Sequence, residues 1–225
     1  MTDVLKFGGT SVGTAERIQD VARLIGTRGG DPCLVVVSAM GGVTDLLVGL
    51  KDSSRGRDRE AVEAARAILA ERHHDALDGL GLPPSDRDEA RAALEAELRR
   101  VEELCSGIFL LEEVSLRTSD ALLSLGEMMS SRLVCAALRA RGTDAVWIDP
   151  REILATDAAH GAAVPDEKET ARRVSARVVP ELEAGRTAVT GGFVGASPDG
   201  STTTLGRGGS DYSAAVLGAA LHDAE

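Results

Sequence analysis

Residues 32–38 read PCLVVVS, an aliphatic and largely β-branched run with no polar residue between Cys33 and Val37. A strand that faces water on one side alternates polar and apolar residues. A run without that alternation is covered on both faces, the setting of a central strand in a parallel sheet. The chain around it is built to match. Val4–Phe7 is a second short apolar run ending in Gly8-Gly9, and PCLVVVS is followed by Gly41-Gly42. Both read as buried strands that run into tight turns.

Helical patterns alternate with these strands. Ile18, Val21, Ala22 and Ile25 recur at three- and four-residue spacing and predict a helix over 14–28, stopped by Gly29-Gly30. A short helix is predicted from Thr44 and Asp45 through Leu50, and a polar surface loop over 53–59. Two amphipathic helices follow, over about 60–77 and from Ser85 to Ile108. Pro83-Pro84 separates them into a hairpin inserted at about 60–108. Ser85 with Asp88 has the form of a capping box. A third long helix is predicted over 118–141, then a strand over 145–148, an irregular stretch over 149–165 and a helix over 166–183. Arg186–Thr190 reads as a strand interrupted by Gly191-Gly192. The turn signal Ser197-Pro198-Asp199-Gly200 makes a hairpin of Phe193-Val194 and Thr202–Leu205, and a last helix spans about 210–221. Strands alternating with helices imply one α/β domain over 1–225, a three-layer α/β/α sandwich with a mostly parallel sheet.

Composition narrows the function. With 36 acidic and 25 basic residues the formal charge is −11, so most of the surface repels nucleic acid and anionic lipid, and neither is expected as a partner. Cys33, Cys105 and Cys135 are widely spaced in apolar runs and read as buried, reduced thiols of a cytoplasmic protein. No run of about 18 uniformly apolar residues is seen. Among the 25 basic residues only Lys6, Lys51 and Lys168 are lysines. A lysine at the end of the first strand therefore suggests a place where a compact ammonium is needed and a planar guanidinium is not a substitute.

Four glycine-rich loops follow predicted strand ends: Gly8-Gly9, Gly41-Gly42, Gly191-Gly192 and Gly206–Gly209. Ligands of open α/β sheets sit outside the carboxyl ends of strands, where glycine lets backbone N–H groups approach an anion. No GxxxxGK[ST] or GxGxxG pattern occurs, so neither a P-loop nor a dinucleotide fingerprint is present. The segment Lys6-Phe7-Gly8-Gly9-Thr10-Ser11 resembles the amino-terminal signature of aspartate kinases, within the amino-acid kinase superfamily. The resemblance continues through Ser38–Asp45 (SAMGGVTD), Ser124–Ser130 (SLGEMMS) and Thr202–Ser213 (TTTLGRGGSDYS), in the family's order.

The resemblance implies ATP- and Mg²⁺-dependent phosphorylation of the side-chain carboxylate of L-aspartate, the first step toward lysine, threonine and methionine. It makes Lys6 and Asp211 catalytic. Lys6 would neutralise the transferring phosphoryl group, and Asp211 would orient Lys6 and help hold Mg²⁺, directly or through water. Gly8, Gly9, Thr10, Ser11, Gly208 and Gly209 would hold the phosphates. Ser38, Thr44, Glu127, Arg207 and Ser210 would bind aspartate, with Glu127 on its ammonium and a bidentate Arg207 fork on a carboxylate. Ser210 would also cap the last helix. The adjacent His73 and His74 point about 100° apart on a helix and read as surface residues, not metal ligands. His160 and His222 have no partner at ligand spacing.

The family's catalytic domain continues further, and regulatory domains follow it. We therefore expect this chain to be an incomplete catalytic domain that binds ATP weakly alone and self-associates or relies on a missing carboxyl-terminal portion. Two other readings remain open from the residues: another amino-acid kinase, or a non-catalytic ligand-binding or assembly subunit.

Overall fold

The structure, a computed structural model, describes residues 2–223. Strand β1 (Val4–Phe7) leads through a 3-10 turn (Gly9–Val12) into α1 (Ala15–Gly26), and β2 (Leu34–Val37) follows. Five helices come next: α2 (Val43–Arg55), α3 (Arg59–Gly79), α4 (Pro84–Leu111), α5 (Leu116–Leu123) and α6 (Leu125–Ala140). After β3 (Ala145–Trp147) come α7 (Pro150–Ile153), α8 (Glu167–Arg177) and α9 (Val179–Glu183). Then β4 (Thr187–Gly191), the antiparallel pair β5 (Val194–Ala196) and β6 (Thr202–Thr204), and α10 (Gly209–His222) complete the order.

The main sheet has the order β1-β2-β4-β3, and every pair in it is parallel. All four residues of β2 are fully buried. Because successive side chains point to opposite faces, Val35 and Val37 join the core under α1–α6, while Leu34 and Val36 join the core under α7–α10. Helices cover both faces, which is the three-layer arrangement expected from the unalternating run. Each aliphatic side chain so buried contributes about 1.5–3 kcal/mol over leaving it exposed.

Several local expectations change. The helix expected over 118–141 is two helices. Ser124 Oγ donates to the Ala121 carbonyl (2.9 Å), the acceptor the Leu125 amide would use in a continuous helix. The stretch Leu116–Ala140 is long and apolar enough by composition to cross a membrane, but its apolar window is 83% buried inside the fold. It is a core element. The helix expected over 166–183 breaks at Val178, because Pro180 lacks the N–H for the next turn and its ring clashes with the preceding one. Ser85 and Asp88 form no capping box: α4 begins at Pro84, whose missing N–H is one the first turn leaves unpaired anyway, with Pro83 as the cap. The loop expected over 53–59 shrinks, since α2 runs to Arg55 and Asp58 caps α3 through the Ala61 N–H (3.0 Å). The expected hairpin is present as α3 and α4.

His73 is not a surface residue. It is fully buried, with Nδ1 2.8 Å from the Leu69 carbonyl and Nε2 lacking a partner. His74 stays half-exposed beside Glu95 (2.7 Å). All three cysteines are free and buried. Burial raises their thiol pKa values, to about 11 for Cys135.

Candidate active site

Three of the four glycine-rich loops, those at Gly9, Gly41-Gly42 and Gly206–Gly209 but not Gly191-Gly192, line one cleft of about 750 Å³, together with Lys6, Ser38, Thr44, Glu127 and Arg207. Gly208, Gly209, Ser210 and Asp211 complete that wall. The chemistry-bearing residues from both ends of the sequence therefore meet. Lys6 leaves the end of β1 and its Nζ lies 2.7 Å from Asp211 Oδ1 in the first turn of α10.

Two helices start at this cleft without a side-chain cap. Gly42 precedes α2 at φ 80° and Gly208 precedes α10 at φ 75°, both in the left-handed region that costs a residue with a Cβ. The turns use some amides, since Gly209 N–H donates to Gly206 O and Val43 N–H to Met40 O. Among the described residues no backbone carbonyl takes the N–H of Thr44, Asp45 or Ser210. Unpaired amides at a helix N-terminus favour an anion. Ser210 is accordingly not the cap expected from sequence: Gly208 holds that place because its conformation suits glycine, and Ser210 sits inside the first turn.

In the first loop the turn differs in detail from the expectation. Gly9 lines the cleft, and its carbonyl accepts the Gly41 N–H (2.9 Å), which fastens the two loops together. Gly8, Thr10 and Ser11 lie in the same turn but off the cleft lining. The Ser11 N–H is engaged with Gly8 O (2.9 Å). The Ser38 N–H donates to Phe7 O and its carbonyl accepts the Ser130 hydroxyl; separately, its own hydroxyl makes no hydrogen bond to the described residues.

Glu127 is the most unusual group in the cleft. It is 4% exposed, and its Oε2 has no hydrogen-bond partner. Burial pushes its carboxyl up to about 8, while the backbone N–H groups of Ala39 and of Glu127 itself pull the other way. Close backbone approach explains how it is held there. A Cβ at Gly126 would lie 2.9 Å from the Ala39 Cβ, and one at Gly191 would lie 3.0 Å from the Glu127 Cβ. α6 therefore packs directly under the ends of β2 and β4. An unsatisfied buried carboxyl costs stability unless something pairs with it. A ligand ammonium would supply that partner.

The Amino acid kinase family model matches residues 1–224. The chain belongs to the amino acid kinase family. It is similar to lysine-sensitive aspartokinase 3 of Escherichia coli (strain K12), 37% identical over 97% of this chain and 46% of that protein. It is also similar to chloroplastic aspartokinase 1 of Arabidopsis thaliana, 35% identical over 98% of this chain and 38% of that protein. Among solved structures, E. coli aspartokinase III in complex with aspartate and ADP (R-state) superposes with a TM-score of 0.87. It is 35% identical, and the match covers 99% of this chain and 47% of that one. The chain thus spans about half the length of the relatives it matches, or less.

Sequence reasoning passed over several residues of this amino acid kinase cleft. Asp45, Ser119, Asp120, Phe193 and Thr204 also line it. Asp45 lies within a motif already singled out. Asp120 had a weaker signal: an acidic residue seven positions before Glu127, next to the apolar run Ala121-Leu122-Leu123, within the helical pattern expected over 118–141. His160, read as lacking a partner, lies with Nδ1 3.0 Å from Asp120 Oδ2. Among the described residues no group of three or more His, Cys, Asp or Glu could hold a metal ion.

Proposed function

We propose that this amino acid kinase chain carries the amino-acid and phosphate sites of an aspartate kinase, which transfers the γ-phosphoryl group of ATP to the side-chain carboxylate of L-aspartate. The meeting of Lys6 with Asp211 in the cleft that holds the orphaned Glu127 carries the proposal. The nucleophile needs no general base, because a carboxylate is already ionised at neutral pH. One of its oxygens bonds to the γ-phosphorus as the β–γ bridging bond breaks, and ADP leaves with that electron pair. The obstacle is repulsion between two anions, and fixed positive charge and oriented N–H donors lower it.

Each residue then has a task. Lys6 stabilises charge on the transferring group, and Asp211 fixes the direction of its ammonium. Glu127 takes the substrate ammonium. Arg207, exposed and without an ion pair among the described residues, takes a carboxylate in a fork. The Ser38 and Thr44 hydroxyls and the open end of α2 hold the reacting carboxylate, and Gly9 and the start of α10 face the phosphates. Asp211 is mostly exposed and has its second oxygen free of Lys6, which suits a Mg²⁺ ion that keeps most of its waters. Bound with ATP, that ion would supply further charge neutralisation. On this reading the product feeds lysine, threonine and methionine synthesis in a reducing cytoplasm, and the working enzyme is a homo-oligomer.

The relatives named above include aspartokinases, and the solved relative carries aspartate and ADP. The test is hydroxylamine trapping of acyl phosphate from MgATP, with aspartate, glutamate, N-acetylglutamate and carbamate as alternative acceptors. Hydroxamate from aspartate alone is the expected result. Preference for another acceptor would replace the substrate, and no product with any acceptor, together with no aspartate binding, would leave a non-catalytic role.

A further inference from the structure

We propose that Asp120 is a positioning residue: it fixes the segment between β6 and α10 that brings Arg207 to the cleft, and so sets affinity for the amino-acid substrate. The inference rests on the aspartate reading for the identity of that substrate, but not for the placement of the segment.

Asp120 lines the cleft, yet it is only 1% exposed and is saturated by the protein. Its Oδ1 accepts the Thr204 hydroxyl at 2.5 Å, and its Oδ2 accepts the Gly161 N–H at 2.9 Å and faces His160 Nδ1 at 3.0 Å. Glu127, two turns further along the α5–α6 pair, has an oxygen with no partner at all. The two carboxyls therefore do different work. Glu127 has capacity left for a ligand, whereas Asp120 has spent its capacity on the fold.

What Asp120 grips explains the consequence. Thr204 ends β6, and its carbonyl accepts the Ala163 N–H at 2.9 Å, so the 157–164 loop and β6 are tied twice. Two residues later Gly206 turns the chain at φ 75°, and a Cβ there would lie 3.3 Å from Gly161 O. The Gly161 backbone held by Asp120 is thus the floor on which Gly206 rests. Arg207 comes next, exposed and without a salt bridge or hydrogen bond of its side chain to the described residues. Its position depends on its backbone, and its backbone is held through Thr204 and Gly161. An amide in place of the carboxylate would turn an N–H₂ group toward one set of these donors and lose bonds that charge strengthens.

The test compares Asp120→Asn and Thr204→Val with Val101→Ala, a buried position of α4 away from the cleft, as a control for general destabilisation. Trypsin cleavage at the Arg207–Gly208 bond reports the order of the segment directly. We expect it to rise about tenfold in Asp120→Asn and less in Thr204→Val, beyond any rise in the control. Aspartate affinity, by calorimetry on the same chains, should weaken about tenfold in Asp120→Asn and stay within twofold in Val101→Ala. In a coupled assay the loss should fall on KM for aspartate more than on kcat. Cleavage that only keeps pace with the control, or unchanged aspartate affinity in a folded Asp120→Asn chain, overturns the inference. If the unsubstituted chain binds no aspartate, the proposed substrate fails and the cleavage result alone decides the role of Asp120.

Discussion

Lys6 and Asp211 stand at opposite ends of the sequence and meet at 2.7 Å, but Asp211 is 76% exposed. An ion pair so open to water adds little to stability. On the proposed function the pair serves chemistry and not stability, and the two properties can be separated. We expect Lys6→Met to lower turnover by about 10²–10³-fold while the melting temperature hardly moves, because the lost interaction forms with charge in the transition state. Lys6→Arg should not restore the rate, since a planar fork does not replace a compact ammonium on one phosphate oxygen. Melting curves and single-turnover phosphoryl transfer measured together check this; a large fall in stability with a matching fall in rate would count against it. At this scale the dense motifs pointed to Lys6, Glu127 and Arg207, and the fold brings these three to one cleft. The sequence was a poor guide to Asp120 and His73. Their burial is decided by which distant segment packs over them, which their sequence neighbours record only weakly for Asp120 and not at all for His73.

The elements around the cleft are held by close approaches that leave no room for a side chain. A Cβ at Gly192 would lie 2.9 Å from the Ser210 Cβ, so the end of β4 touches the first turn of α10. Gly192→Ala should push that turn, and Asp211 with it, away from Lys6. The expected cost is about 1–3 kcal/mol of stability, as for other overpacked sites, with a fall in turnover much larger than that loss alone explains. Melting temperature against hydroxamate yield tests it, and unchanged turnover would show that the turn can yield. The strands, their parallel pairing and the α3–α4 hairpin were legible because hydrophobic period and glycine punctuation are local. The breaks were less so. The interruption at Ser124 comes from a hydroxyl competing for one carbonyl, and the one at Val178 from a proline two residues on. Both sit inside continuous apolar patterns, so the pattern alone reads straight through them.

For the whole molecule, two buried titratable groups oppose each other across the pH range. His73 is held down to about 4, chiefly by burial and also by Arg72 and His74, against an ordinary value of 6.5. Its unfolded form takes up a proton first, so stability falls as pH drops from 6.5 toward 4. Glu127 is the reverse case. Its carboxyl is pushed up to about 8 from 4.5, so the unfolded state loses the proton first and stability falls as pH rises from 4.5 toward 8. Between 4.5 and 6.5 the two slopes offset each other, and above 6.5 only the Glu127 loss remains, at most about 1.4 kcal/mol per pH unit. The free chain should therefore melt at lower temperature at pH 8 than at pH 6. Aspartate should change this, because a substrate ammonium beside Oε2 favours the ionised carboxylate and binding then releases a proton. Its affinity should tighten by up to about tenfold per pH unit over that range, and the stabilisation it confers should grow from pH 6 to pH 8. Glu127→Gln removes the titration. That chain should be the more stable of the two at pH 8, bind aspartate weakly, and show no such growth with pH. Melting temperatures with and without saturating aspartate at both pH values decide it. An aspartate-induced shift that is the same at pH 6 and pH 8 would mean that the ammonium is received by some group other than Glu127.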